Sequence, residues 1–137
     1  MNVRIVIRLL GFLLLFPGIF MGLCLVMALY LGEHAAVNSL GWSMGIVITL
    51  ALSFYFSGNA SRESIYRREA LVVVGVGWIL SCLLGSLPYL LGGFISDVPS
   101  AVFESVSGFT TTGATVISDI DTLPRSILFW RMLTHWL

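Results

Sequence analysis

The chain has 137 residues, of which 58% are hydrophobic and 10% are charged, and its mean hydropathy is +0.99. A soluble domain carries about a quarter charged residues, so this chain has too few to cover a water-facing surface. The seven basic residues, all of them arginine, balance seven acidic residues and form no basic patch. The composition therefore indicates an integral membrane protein and argues against a nucleic-acid binder.

Three apolar stretches predict membrane-spanning helices, and they run over 5–31, 41–56 and 70–91. The first stretch is much longer than the apolar core of a signal peptide, which is about 7–15 residues, so we expect a retained helix. Pro17 predicts a kink in its middle. A polar segment over 33–38 predicts the turn that leads into the second helix.

The distribution of arginine predicts the orientation of these helices. Arg4 and Arg8 lie at the start of the first helix, and Arg62, Arg67 and Arg68 lie between the second and the third. The turn between the first two helices contains no basic residue. Because positive charge is retained on the cytoplasmic side, we expect the N-terminus and the second loop in the cytoplasm. The segment after the third helix then begins on the outer side.

The segment after the third helix does not predict a simple membrane span. Residues 96–99 are a helix-start pattern, and the helix that follows over 99–109 is too short to cross a bilayer. Threonine and glycine over 108–116 favour extended or irregular backbone. A polar turn over 118–125 follows, and a new apolar run opens at Ile127. This order of elements is typical of a re-entrant pore loop.

The chemistry of such a loop suits a cation filter. Irregular backbone at membrane depth is tolerated only where protein buries it or where it lines a water-filled cavity. A potassium ion gives up its hydration shell when a set of carbonyl oxygens replaces it. Gly113 would permit a backbone geometry that a Cβ atom forbids, and the neighbouring threonine hydroxyls could hold the loop. Taken alone, however, a Thr-Thr-Thr-Gly run is more typical of an ordinary polar loop.

The run Phe-Glu-Ser-Val-Ser-Gly-Phe-Thr-Thr-Thr-Gly-Ala-Thr over 103–115 resembles the first pore-loop signature of the Trk-type bacterial potassium uptake proteins, the TrkH/TrkG transporter subunits. The resemblance extends over essentially the whole chain. It implies an all-α integral membrane fold, with a two-helix N-terminal hairpin over 1–69 and the first M1–pore-loop–M2 unit over 70–137. Four such units surround one pore in that family. Because this chain stops inside the first M2 helix, we expect an N-terminal fragment that does not conduct alone.

The resemblance also implies the site and the partners. It places filter carbonyls on Thr111 and Thr112 and the filter glycine at Gly113, with Thr110 and Ala114 flanking them. It implies potassium uptake of the symport type across the bacterial inner membrane, without enzymatic activity and without an organic cofactor. It further implies a homodimer in membrane lipid, seated on a cytoplasmic TrkA-type nucleotide-binding regulator. The ion preference and the coupling ion stay open, since four loops set them and one is visible.

Four charged residues near the loop permit more than one role. Glu104 could accept hydrogen bonds from loop amides behind the filter, or it could contact the ion directly. Asp119 and Asp121 could raise the cation concentration at the outer mouth, or they could belong to an ordinary solvated turn. Arg131 could extend outward to the membrane surface, or it could pair with either aspartate.

Two other classes of function compete with transport. A small, complete protein of three or four spans that assembles with a membrane partner would explain the polar loops, but it gives no reason for the Thr-Thr-Thr-Gly run. An intramembrane enzyme would need a nucleophile and a base at one depth, and Glu104 with the distant His135 is poor material for that. His135 and Trp136 predict an interfacial or packing pair rather than a metal site, because a lone histidine lacks co-ligands.

Overall fold

A computed structural model describes residues 3–58 and 67–137. Neither of these two ranges contains a β-strand, so the predicted all-α fold is confirmed. Arg62, which entered the predicted orientation, lies outside the described residues. The described elements are α1 (Val3–Leu31), α2 (His34–Ser57), α3 (Arg67–Gly85), α4 (Leu87–Leu91), α5 (Val98–Phe109), a short 3-10 helix (Ile120–Thr122) and α6 (Arg125–Thr134).

Within the described ranges, three helical segments are long and apolar enough to cross a membrane, namely Val3–Leu31, His34–Ser57 and Arg67–Leu91. The three predicted membrane spans are therefore confirmed, although their bounds differ from the sequence-based ones. The helix α1 continues through Pro17 without interruption. The third span consists of two helices, because the chain leaves α3 after Gly85 and begins α4 at Leu87.

The predicted turn over 33–38 is wrong except at its first residue, since α2 already begins at His34. The backbone reverses at Gly32, whose φ is 70°, in the left-handed region that glycine adopts at little cost. The amide of Glu33 then donates to the Ala28 carbonyl at 3.0 Å and closes the turn. Two residues are thus enough to connect α1 to α2, and the polar residues after them are free to start the helix.

The helices α1 and α2 form a hairpin whose backbones approach closely at Gly11. A Cβ atom on Gly11 would lie 2.5 Å from the amide nitrogen of Tyr55 and 2.6 Å from the carbonyl oxygen of Ala51. Small residues permit such contacts between helices in a membrane. At the same end of the hairpin, the Arg8 guanidinium lies 4.8 Å from the Tyr55 ring centroid and donates to its hydroxyl at 3.2 Å.

A large buried cluster joins the hairpin to the later helices. The indole nitrogen of Trp130 in α6 donates to the Gly85 carbonyl at 3.1 Å, which fixes α6 against the end of α3. The helix α5 lies among these elements, with Ala101 fully buried. The fully buried members of the cluster are Met21, Cys24, Ala28, Ala36, Leu40, Val47, Tyr89, Ala101, Ile127 and Trp130.

The contact at Gly11 generates a stability prediction. The substitution Gly11→Ala is expected to cost about 1–3 kcal/mol of unfolding free energy, because the added methyl meets backbone atoms that cannot move aside. Gly45 in α2 is the matched control, since a Cβ atom there meets nothing within 4 Å. Thermal unfolding in detergent should show a lower midpoint for Gly11→Ala than for the wild-type chain. The midpoint of Gly45→Ala should not fall. Equal midpoints for the two variants would contradict the close approach.

Candidate ion-selectivity filter

The short helix α5 begins where the sequence predicts. The Asp97 carboxylate accepts a hydrogen bond from the Ser100 amide at 2.9 Å, and Pro99 occupies the first turn, where its missing N–H costs nothing. The hydrogen bonds from Ser100 lower the pKa of Asp97. With 12 residues, α5 is about 18 Å long, well short of the roughly 30 Å of a bilayer core.

The C-terminus of α5 closes with a pair of backbone hydrogen bonds typical of helix ends. The Thr112 amide donates to the Ser107 carbonyl and the Thr111 amide donates to the Gly108 carbonyl, both at 2.9 Å. Thr111 has a φ of 55°, in the left-handed region, at the position where glycine is usual. A β-branched residue in that region costs about 1–3 kcal/mol and is found mostly at functional sites.

The segment after α5 turns sharply instead of running as an extended strand. Gly113 has a φ of 76°, so two of three successive residues have left-handed backbone, and no regular structure follows until the 3-10 helix. Of the two expected backbone forms, extended or irregular, the structure has the irregular one. The positive φ of Gly113 is a geometry that a Cβ atom disfavours, and its role as the filter glycine stays a prediction. Side chains hold the segment as predicted: the Thr110 and Thr112 hydroxyls lie 2.8 Å apart, and the Ser107 hydroxyl donates to the Ala114 carbonyl at 2.6 Å.

The backbone oxygens of the three candidate filter residues accept no hydrogen bond from the described residues. Among the described residues, no hydrogen-bond donor reaches the carbonyls of Thr111, Thr112 or Gly113, and all three residues are exposed. The carbonyls of Ser107 and Ala114 on either side do accept hydrogen bonds. Three successive carbonyl oxygens are therefore available to a partly dehydrated cation.

Glu104 holds this loop through hydrogen bonds to Thr115 and Val116. Its side chain is buried, and it accepts hydrogen bonds from the Val116 amide at 3.1 Å and from the Thr115 hydroxyl at 3.0 and 3.1 Å. The Arg131 Nε atom donates to it at 2.5 Å. Both carboxylate oxygens are occupied, so the expected acceptance of a loop amide is confirmed. This geometry favours the supporting role of Glu104 over direct contact with an ion.

Both interpretations of Arg131 made from the sequence are wrong. Its guanidinium forms an ion pair with Glu104 instead of extending outward or pairing with Asp119 or Asp121. The physical reason is that α6 packs against α5 and brings this side chain, 18% exposed, to the buried carboxylate. The sequence does hold a signal for the pair, because each of two apolar helices carries a charge that needs a partner inside a membrane.

The two aspartates after the filter belong to the 3-10 turn. The Asp119 carboxylate accepts from the Asp121 amide at 3.2 Å, and Asp121 itself is exposed. Asp119 and Asp97 together line a polar recess of about 280 Å³ beside residues 116–118. The backbone amide of Arg125, which follows this turn, donates to the Glu33 carboxylate.

Sequence reasoning missed Glu33 altogether. Its carboxylate accepts from the amides of Arg125 at 2.7 Å and Ser126 at 3.0 Å, and also from the Ser126 hydroxyl. Burial opposes ionisation, but these hydrogen bonds and the Arg125 charge outweigh it and lower the pKa of Glu33. The available signal is Pro124 at the start of α6, which has no side chain able to cap the helix.

His135 is half-buried and Trp136 is exposed, so these two residues do not form a buried packing pair. The His135 Nδ1 atom lies 2.9 Å from the Arg131 carbonyl oxygen, at the end of α6. In the part of the chain that the structure describes, no three His, Cys, Asp or Glu side chains lie close enough together to hold a metal ion.

Comparison with known proteins decides the family. Residues 34–137 match the TrkH family model, described as a cation transport protein. The chain belongs to this family. It is 38% identical over 141 residues to the Trk system potassium uptake protein TrkH of Halomonas elongata, covering 100% of this chain and 28% of the relative. It is 31% identical over 137 residues to the TrkG protein of Escherichia coli, covering 95% and 27%.

A solved structure supports the fold of this TrkH family member. The crystal structure of the potassium transporter TrkH from Vibrio parahaemolyticus superposes with a TM-score of 0.90 at 31% identity, covering 99% of this chain and 29% of that one. The resemblance expected from the sequence is confirmed. The chain spans about 28% of the length of the first curated relative that it matches.

The buried ion pair generates the second prediction. The substitution Arg131→Ala leaves the Glu104 carboxylate buried without its counter-charge, which is expected to cost about 3–5 kcal/mol of unfolding free energy. Arg125→Ala is the matched control on the same helix, where an exposed charge contributes less than about 1 kcal/mol. Denaturant unfolding in detergent measures both. Similar losses of unfolding free energy in the two variants would show that the Glu104–Arg131 pair stabilises the fold no more than an exposed charge does.

Proposed function

We propose that this chain supplies one of four selectivity-filter loops to a transporter that takes up potassium ions across the bacterial inner membrane. One observation carries the proposal: the backbone oxygens of Thr111, Thr112 and Gly113 are exposed and accept no hydrogen bond from the described residues. They follow a helix too short to cross a bilayer, on a loop supported by a buried carboxylate. Membership of the TrkH family adds the expectation of cation transport.

The proposed layout assigns each helix a place in a pore unit. The hairpin of α1 and α2 corresponds to the unit 1–69, and the pore unit is 70–137. Within the pore unit, α3 and α4 form M1, α5 with the loop over 110–117 forms the pore loop, and α6 is the beginning of M2. The basic residues at the starts of α1 and α3 support a cytoplasmic N-terminus.

The proposed mechanism is replacement of water by neutral oxygens. A potassium ion entering from the outer side loses hydration water and gains backbone carbonyl oxygens, which bind it without a fixed negative charge. No acidic residue lies between Gly108 and Ser118, so the ion is not trapped by a carboxylate on its path. The C-terminal end of α5 adds a partial charge of about −0.5 at the start of the loop, which favours a cation there.

The support behind the loop makes such a site selective. A filter distinguishes ions only if its oxygens hold their positions when the ion changes. Glu104 fixes the loop at Thr115 and Val116, and the Ser107 hydroxyl fixes it at Ala114. These bonds engage the residues that follow the proposed ligands and leave the ligand oxygens themselves free.

The proposal includes the assembly that the family resemblance implies. Four pore units surround one path, and the transporter is a homodimer in membrane lipid on a cytoplasmic TrkA-type nucleotide-binding regulator. The potassium ion is the cargo, and neither catalysis nor an organic cofactor takes part. The relatives named as Trk potassium uptake proteins support this assignment, since they are transporters rather than enzymes.

A matched pair of glycines tests the filter assignment. Gly113→Ser is expected to lower the rubidium-over-sodium uptake ratio severalfold, because a side chain at a φ of 76° forces the loop to change shape. Gly93→Ser is the control: its φ is 67°, it lies in the loop before α5, and a Cβ atom meets nothing within 4 Å there. Rubidium and sodium uptake are measured in potassium-uptake-deficient bacteria that express the full-length gene product.

Both variants carry a similar backbone strain of about 1–2 kcal/mol, so only the position of the strain differs. We expect Gly93→Ser to keep the wild-type uptake ratio. If Gly113→Ser keeps both flux and selectivity, or if Gly93→Ser loses selectivity equally, the assignment of the filter to residues 111–113 is wrong.

A further inference from the structure

The carboxylate of Glu33 connects the N-terminal hairpin to the pore unit across more than ninety residues of sequence. It accepts hydrogen bonds from the Arg125 amide at 2.7 Å and the Ser126 amide at 3.0 Å, and from the Ser126 hydroxyl. Pro124, at the cap position of α6, makes no side-chain cap bond. Glu33 thus acts as the N-cap of α6 from a distant part of the chain, and its negative charge lies at the positive end of the helix dipole.

This side chain is not needed for the turn in which it stands. The turn between α1 and α2 is closed by backbone bonds alone, from the Gly32 amide to Leu29 and from the Glu33 amide to Ala28. The first turn of α2 is joined in the same way, by the Val37 amide and the Glu33 carbonyl at 2.9 Å. The carboxylate points away from all of these groups and towards α6. Its contribution is therefore to the contact between hairpin and pore unit.

The helix that Glu33 caps also carries the residue that holds the filter support. Arg131 lies six residues after Arg125, which is about 9 Å along the α6 axis. It forms the ion pair with Glu104, and Glu104 accepts from the Val116 amide of the filter loop. A continuous series of polar contacts and one rigid helix thus joins Glu33 to the backbone next to the proposed ion ligands.

We propose that Glu33 is a positioning residue for the filter: by capping α6 it sets the axial position of Arg131, and through Glu104 the shape of the loop. This inference rests on the proposed function of the loop. It gives the N-terminal hairpin a role in ion selectivity, since the hairpin supplies the group that fixes the outer end of α6. Glu33 itself contacts no ion in this account.

The test compares variants of Glu33 with a neighbouring control in the full-length gene product. Glu33→Ala is expected to raise the apparent KM for rubidium about threefold to tenfold, the factor typical for loss of a helix N-cap, and to lower the rubidium-over-sodium ratio. Glu33→Gln keeps one acceptor oxygen, so its KM for rubidium and its uptake ratio are expected to stay close to those of the wild type. His34→Ala is the matched control, because His34 is exposed and adjacent. Uptake is normalised to folded protein measured by fluorescence-detected size exclusion.

A second variant distinguishes an effect on the filter loop from a folding defect caused by Glu33→Ala. Ser126→Ala removes one donor to Glu33 and leaves both backbone donors in place, so it should shift the KM and the uptake ratio in the same direction by a smaller amount. If Glu33 acts through Glu104, the effect of Glu33→Ala must also shrink in a Glu104→Gln background. If the effects of Glu33→Ala and Glu104→Gln on the uptake ratio are fully additive, Glu33 does not act through Glu104.

The outcomes separate this inference from the proposed function. If wild-type protein takes up no rubidium, the proposed function fails and the inference fails with it. If wild-type protein takes up rubidium while Glu33→Ala and Ser126→Ala keep its KM and uptake ratio per folded molecule, the filter proposal stands and the role of Glu33 is overturned. A change in KM and selectivity with rescue by Glu33→Gln supports it.

Discussion

The buried ion pair between Glu104 and Arg131 is the contact on which the candidate site depends. A carboxylate with 1% exposure is costly to bury, and the guanidinium at 2.5 Å makes it tolerable. With its charge balanced, Glu104 can hold a loop amide and a threonine hydroxyl at the same time. Without this pair, a loop made of threonine and glycine would have little to keep it in one conformation.

The loop over 110–117 combines strained backbone with side-chain contacts that hold it in place. Thr111 adopts the left-handed backbone that glycine would adopt more easily, and Gly113 does so two residues later. Two such residues turn the chain, and the carbonyls of Thr111, Thr112 and Gly113 accept no hydrogen bond from the described residues. The contacts behind the loop stabilise this strained form, which explains why the loop and the buried pair occur together.

The sequence predicted what local pattern determines and missed what distant packing determines. Hydropathy over about twenty residues defines membrane helices, and Asp97 with Pro99 defines the start of α5, so both were predictable. A charge in an apolar helix indicates that Arg131 needs a partner, but which residue it pairs with depends on how α6 packs against α5. The role of Glu33 was hidden for the same reason, since its partners follow more than ninety residues later.

The most direct test of the account is to locate the ions. Crystals of the full-length gene product grown with rubidium or thallium would show anomalous density for the bound cation. The account predicts density within coordination distance of the carbonyl oxygens of Thr111, Thr112 and Gly113. Density at other ligands along the path, with these three oxygens hydrogen-bonded to protein instead, would contradict the assignment of the filter.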